Sequence, residues 1–179
     1  WEQAATAFRS LYDVSKVSKT RINAASGYVS SSLKYATDEQ LMAMADDVEK
    51  MTEINDVARR KARYAKAQVL QRAGKDNEAL EVFELLSKEV KSAEGAEGRY
   101  RLIEAEFKAN RYDQAEKMIY DFSDSKTPHN YWLAKSFILL GDIYAARNDA
   151  FQARATYQSV VDGYSPADDG IVAEAKEKI

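Results

Sequence analysis

The chain has 179 residues, of which 45% are hydrophobic, enough to bury a sizeable core in one domain or one continuous array. With 26 Lys and Arg against 29 Asp and Glu its net charge is −3, so no global field pulls it toward nucleic acid or an anionic membrane. One His and no Cys exclude Cys-His catalysis, His-based zinc sites and Cys-ligated metals, and seven Gly with two Pro supply few of the turns an all-β fold needs. The expectation is therefore a nearly all-α protein. No apolar run reaches the length of a membrane span. A start at Trp1, without a methionine or a signal sequence, reads as a cut from something longer.

In chain order, residues 1–19 place Ala4, Phe8 and Leu11 at spacings of four and three, one helical face. We read them as the second helix of a truncated repeat whose first helix lies upstream. Residues 20–56 predict a divergent helical hairpin, either a distant repeat or a plain helical pair. Its first helix runs from Ile22 to Tyr35 with Tyr28, Val29 and Leu33, and Ser30, Ser31 and Ser32 lower its propensity. Thr37-Asp38-Glu39-Gln40 is a capping box, opening a helix with Leu41, Met44, Ala45, Val48 and Met51. From Thr52 to Ala73 no breaker occurs, and Ile54, Val57, Ala58, Ala62, Ala65 and Val69 form one stripe. That predicts a single long helix, with a turn near Asn55-Asp56 as the alternative. A helix from Asp76 to about Ser92 follows, and Gly95 and Gly98 mark the opening of the next hairpin. Ser123 to Thr127 is a polar loop ending in a helix N-cap, with Pro128 at the first helical position. Ser165-Pro166 repeats the device before a last helix with Ile171, Val172, Ala175 and Ile179, which covers the last hairpin or continues into a further repeat.

One pattern recurs three times across this order. Gly74, Ala79, Phe83 and Leu86 are matched by Asn110, Ala115, Ile119 and Phe122, then by Asn148, Ala153, Tyr157 and Val160. The break residues lie 36 and 38 positions apart, a period that signals stacked supersecondary units. Gly and Asn accept the left-handed conformation that ends a helix. An alanine five positions later lets two helices cross closely, and the larger apolar residues fill the space below. The units are residues 57–92, 93–126 and 127–164, with 165–179 as a terminal helix.

These residues resemble the tetratricopeptide repeat family, whose consensus has a small residue, an aromatic, a glycine-like turn and an alanine in the second helix. Phe137, Leu140, Gly141, Tyr144, Asn148, Ala153 and Tyr157 all fall in register. Ala67 and Leu70 fit the first pass, whereas the second has Ile103 and Glu106 at those positions, with Phe107 taking over through a one-residue slip. The resemblance implies a right-handed solenoid of stacked antiparallel hairpins whose first helices line a concave groove. By family position that groove would present Tyr64, Gln68 and Gln71, then Tyr100, Arg101, Glu104 and Lys108, then Lys135, Ile138, Leu139 and Asp142. Tyr64, Tyr100 and Ile138 could instead pack between neighbouring helices. Family members that clamp a chaperone's C-terminal carboxylate use Lys, Asn and Arg where this chain has Tyr64, Gln68, Arg101, Lys135 and Leu139. Only Lys135 matches, which disfavours that sub-class. The segment from Tyr157 through Val160, Val161 and Tyr164 to Pro166 is also similar to bacterial envelope repeat proteins, which implies a periplasmic or outer-membrane-associated location.

For chemistry the inventory is thin. No glycine-rich phosphate loop or G-x-S-x-G elbow occurs, and His129 is expected as a solvent-facing residue at the second position of a helix. Asp46-Asp47 and Asp168-Asp169 are adjacent, so on a helix they point about 100° apart rather than converging on a substrate. Asp168-Asp169 would complement a helix N-terminus. Arg59-Arg60-Lys61 with Arg63, and Lys16, Lys19 and Arg21, are read as solvated helix faces within reach of Glu49, Glu53 and Asp56, not as a nucleic-acid surface. The expectation is no catalysis, no cofactor and no metal. Partners would be a peptide or protein in the groove, with no nucleic acid and no membrane insertion. The alternative is a spacer or oligomerisation segment that self-associates through ends near Phe8 and Ile171.

Overall fold

The computed structural model describes residues 1–165 and 168–179, and among these every regular element is a helix. They form two compact units, Trp1–Val82 and Phe83–Ile179. The first holds α1 (Glu2–Val14), α2 (Ser18–Tyr35), α3 (Asp38–Lys50), α4 (Asp56–Arg72) and the opening of α5 (Asp76–Leu86). Here α1 packs on α2, α2 on α3 and α4, and α3 on α4. The second holds the close of α5, a 3₁₀ turn at Ser87–Glu89, α6 (Ala93–Lys108), α7 (Tyr112–Asp124), α8 (Asn130–Ala146), α9 (Ala150–Gly163) and α10 (Ile171–Glu177). In it α6 packs on α7 and α8, α8 on α7, α9 and α10, and α9 on α10.

The three break residues share one backbone geometry. Gly74, Asn110 and Asn148 take φ of 71°, 57° and 62°. Gly74 N donates to Gln71 O at 3.0 Å and Lys75 N to Leu70 O at 2.9 Å. The equivalent pairs are Asn110 to Phe107 and Arg111 to Glu106 in the second pass, then Asn148 to Ala145 and Asp149 to Tyr144 in the third. Each is a Schellman closure, which satisfies carbonyls a helix end would otherwise leave unpaired. In each pass the residue after the break then accepts from the alanine of the next helix, Lys75 O from Ala79 N, Arg111 O from Ala115 N and Asp149 O from Ala153 N, all at 3.0 Å. All three alanines are buried.

Several local expectations need correction. No single helix runs from Thr52 to Ala73, because α3 stops at Lys50 and Asn55 caps α4 through its side-chain oxygen, which accepts from Ala58 N at 2.8 Å. The Asn55 amide also donates to Ser26 Oγ at 2.7 Å, and Arg59 donates to the carbonyls of Val48 and Met51 at the end of α3. Val57 belongs to the exposed side of α4 rather than to its buried stripe. Thr37 and Gln40 do form the reciprocal capping box, at 2.9 and 3.3 Å.

In α1 the buried residues are Ala5 and Tyr12, while Phe8 and Leu11 are 36% and 40% exposed. The helix ends at Val14 and turns into α2, so its apolar register is set by that neighbour. Tyr12 lies under the Arg21 guanidinium, 4.5 Å from the ring centroid, and its hydroxyl accepts from Glu53 N at 3.3 Å. Phe8 lies flat over Gly27, where an added Cβ would come within 2.7 Å of the ring.

Gly95 and Gly98 lie in the first two turns of α6, the entry of the next hairpin. A Cβ on Gly95 would lie 2.1 Å from Glu89 O, and one on Gly98 would lie 2.8 Å from Phe83 O. The glycines are there because the preceding chain passes against the helix backbone. For the same reason α5 gives way at Leu86 to the 3₁₀ turn instead of reaching Ser92, whose hydroxyl caps α6 by accepting from Gly95 N at 3.0 Å.

Thr127 is not the cap of α8. Its hydroxyl donates to Val90 O at 2.7 Å and accepts from His129 N at 3.3 Å, and α8 begins only at Asn130. His129 is thus the residue before the helix, half-buried, with Nε2 3.1 Å from Lys91 O. Of the device expected at Ser165-Pro166, Pro166 lies outside the described residues. The last helix opens later, at Ile171, after Gly170 at φ 89°. Asp169 Oδ1 accepts from Ile171 N at 3.2 Å, and Asp168 precedes the helix without being part of it.

Candidate partner-binding surface

In the first unit Tyr64, Gln68 and Gln71 ride on α4. Tyr64 and Gln68 line a shallow depression of about 380 Å³ with Ser30, Leu33 and Lys34 of α2 and Lys61. Several basic side chains of α4 pair with α3. Arg63 forks onto Glu49 at 2.6 and 2.9 Å, Lys66 reaches Asp46 at 2.5 Å, and Arg72 reaches Asp38 at 2.6 Å. The two helices thus pair acidic side chains of α3 with basic side chains of α4. Adjacent Asp46 and Asp47 diverge as expected, Asp47 turning to Arg9 of α1.

In the second unit α6 supplies Tyr100, Arg101, Glu104 and Lys108. Tyr100 is 5% exposed and packs at 5.3 Å against the ring of Trp132, so it is a core residue and not a groove residue. Burial, with the Glu104 carboxylate nearby, pushes its hydroxyl pKa well above the ordinary tyrosine value. Arg101 lies 5.6 Å from the Trp132 ring and pairs with buried Glu97 at 2.9 Å. Glu104 stands between Arg101 at 3.6 Å and the exposed Lys108 at 3.4 Å. Ile103, where the tetratricopeptide consensus it resembles has a small residue, is fully buried, and Phe107 meets Tyr112 in a tilted pair at 5.7 Å while Glu106 pairs with Arg111.

On α8 the expected groove positions are occupied. Ile138 is 2% exposed and belongs to a core of Ala134, Ala153, Tyr157, Val160, Ile171 and Ala175, and Leu139 is buried as well. Lys135 pairs with Glu174 of α10 at 3.1 Å. Asp142 accepts from Tyr157 Oη and from Lys178 Nζ, both at 2.7 Å. Gly141 is needed because a Cβ there would lie 2.2 Å from the Tyr157 ring.

The residues missed by family position are Tyr131 and Trp132. Trp132 bridges Tyr100 of α6 and its own neighbour Tyr131, which meets it edge-on at 4.9 Å and is 39% exposed. Adjacent aromatics in the first turn of α8 were the available signal. Of these side chains on α6 and α8, Lys108 and Tyr131 are exposed, and Arg101, Glu104 and Trp132 are partly so. Among the described residues no three His, Asp or Glu side chains gather to hold a metal ion, and no helix is long and apolar enough to cross a membrane.

No family model and no curated protein sequence matches the chain. Among solved structures it is similar to the crystal structure of BtubC (BKLC) from P. vanneervenii, with a TM-score of 0.61. The match covers 99% of this chain and 85% of that one at 14% identity, a likeness of fold alone.

Proposed function

We propose that the chain is a non-catalytic protein-binding module, built as a solenoid of tetratricopeptide-type hairpins, that takes an extended peptide or a partner helix on its first-helix face. The three Schellman closures at matching positions and the packing of α6 on α8 and α8 on α10 support the repeat reading. The observation that carries the binding reading is the ridge of Arg101, Glu104, Tyr131 and Trp132 where α6 meets α8. Aromatic and Arg side chains dominate binding energies because they combine large area with fixed hydrogen-bond geometry. Tyr131 and Arg101 are anchored by their neighbours without being fully covered, so a partner would meet side chains whose rotamers are already held. An envelope location rests on the resemblance around Tyr157 to Tyr164.

The test is quantitative capture with the unaltered chain and with a Tyr131→Ala, Arg101→Ala variant of equal helicity. Proteins lost from the variant are the expected outcome, and an unchanged set refutes the ridge. A second reading, a spacer that self-associates, is favoured by α1, where Trp1 and Val14 are each 71% exposed beside Phe8 and Leu11. Ile171, the other expected contact end, is buried and drops out of that reading. Concentration-dependent mass in light scattering, abolished by Leu11→Glu with Val14→Glu, would establish it.

A further inference from the structure

Helix α10 has seven residues, a length at which a helix does not hold itself together in water. Its seat on α8 and α9 keeps it formed. Ile171 and Ala175, both essentially inaccessible, are its buried residues, set against Ile138, Tyr157 and Val160. Two ion pairs flank them, Lys135 with Glu174 at 3.1 Å and Asp142 with Lys178 at 2.7 Å. The seat thus reads four features at i, i+3, i+4 and i+7: an aliphatic, an acid, a small residue and a cation. That is the spacing by which a groove recognises one face of a helix. The charges also fix polarity, because a helix laid the other way would bring its cation to Lys135 and its acid to Asp142.

Resting on the protein-binding reading above, we propose that this seat is a receptor for a partner's amphipathic helix carrying that order of residues, and that α10 is its resident, exchangeable occupant. The resident is held weakly enough to be displaced. It has two buried anchors, one of them a single methyl group, and ion pairs whose side chains remain 21 to 38% exposed and are open to screening by salt. A partner helix with the same face and more turns brings the same contacts while sustaining its own helicity.

The experiment uses the full 179-residue chain and, as the probe, a fluorescein-labelled peptide of residues 168–179 followed by anisotropy. Ile171→Asp in the chain unseats the resident without altering the seat. This variant should bind the peptide at least tenfold more tightly than the unaltered chain. Lys135→Glu added to it should weaken binding about tenfold, and a peptide carrying Glu174→Lys should recover it. Glu174→Lys in the full chain, a change at a partly exposed residue, gives a smaller gain in the same direction and serves if Ile171→Asp unfolds. Equal affinity for the unaltered and unseated chains overturns the proposal, as does indifference to the charge reversal. So does a stable dimer made by exchanging α10 between two copies. The capture experiment on Tyr131 and Arg101 does not involve α10, so failure of the seat leaves that reading separately testable.

Discussion

Replacing Gly95 by Ala should destabilise the second unit, although the same change in an ordinary helix interior stabilises by about 1 kcal/mol. The new Cβ would stand 2.1 Å from Glu89 O and 2.5 Å from Glu89 C, both backbone atoms that cannot rotate away. Relief requires the 3₁₀ turn to retreat by roughly 1 Å, an overpacking strain of about 1–3 kcal/mol. The retreat also strains the hydrogen bonds that Glu89 O accepts from Ser92 N and Ser92 Oγ, both 2.8 Å, each worth about 1 kcal/mol. Against the propensity gain, the net loss is about 2 kcal/mol. Gly163→Ala is the control, since Gly163 is helical with nothing within 4 Å of its Cβ position, and it should be neutral or gain up to about 1 kcal/mol. The assay is urea unfolding followed by Trp132 fluorescence in a Trp1→Phe background, Trp1 being 71% exposed. With a slope of about 2 kcal/mol per molar urea, the Gly95→Ala midpoint should fall by about 1 M. A midpoint equal to or above that of the unaltered chain would refute the close approach of the turn to α6.

Asn55→Ala should cost about 1 kcal/mol in a thermal melt by removing the cap of α4, with Asn55→Gly costing only a few tenths; equal losses would show that the Ser26 contact matters more than the cap. The Arg63 guanidinium, more than the opposing effect of burial, holds the Glu49 carboxyl below the usual glutamate range. A carboxyl depressed in the folded state contributes stability above its unfolded pKa of about 4.3 and loses it as the pH falls toward the folded value. Glu49→Gln should therefore flatten the stability profile below about pH 4.5, and an unchanged acid limb would show the pair to be fully screened. Burial, with the hydrogen bond to Asp142, pushes the Tyr157 hydroxyl up. A raised value stabilises the fold below the unfolded pKa of about 10 and is lost as pH rises through the folded pKa, so Tyr157→Phe should soften alkaline unfolding above pH 10.

The contrast between what was legible and what was not follows the range of the interactions. Gly74, Asn110 and Asn148 announced their left-handed turns, and Thr37 with Gln40 its capping box, because the hydrogen bonds involved join residues three to five positions apart. The all-helical class was equally readable from composition and period. The buried face of α1 was not, since Tyr12, absent from the expected apolar face, takes its place from Glu53, 41 positions away, while Leu11 stays 40% exposed. Gly95 and Gly98 marked the entry of α6, but that they are glycines because Glu89 and Phe83 lean on the helix was not legible from their neighbours in sequence.

The candidate surface divides in the same way. Arg101, Glu104 and Lys108 were expected on an outward helix face from the family resemblance, and all three keep some exposure. That Tyr100 turns inward onto Trp132, that Ile138 is core, and that Lys135 and Asp142 are answered by Glu174 and Lys178 depended on how α6, α8 and α10 come together. Local hydrogen bonding fixes the three hairpin turns and the start of α3 in this chain. Burial belongs to whichever helix arrives opposite, and the partners of Lys135 and Asp142 arrive 39 and 36 residues later.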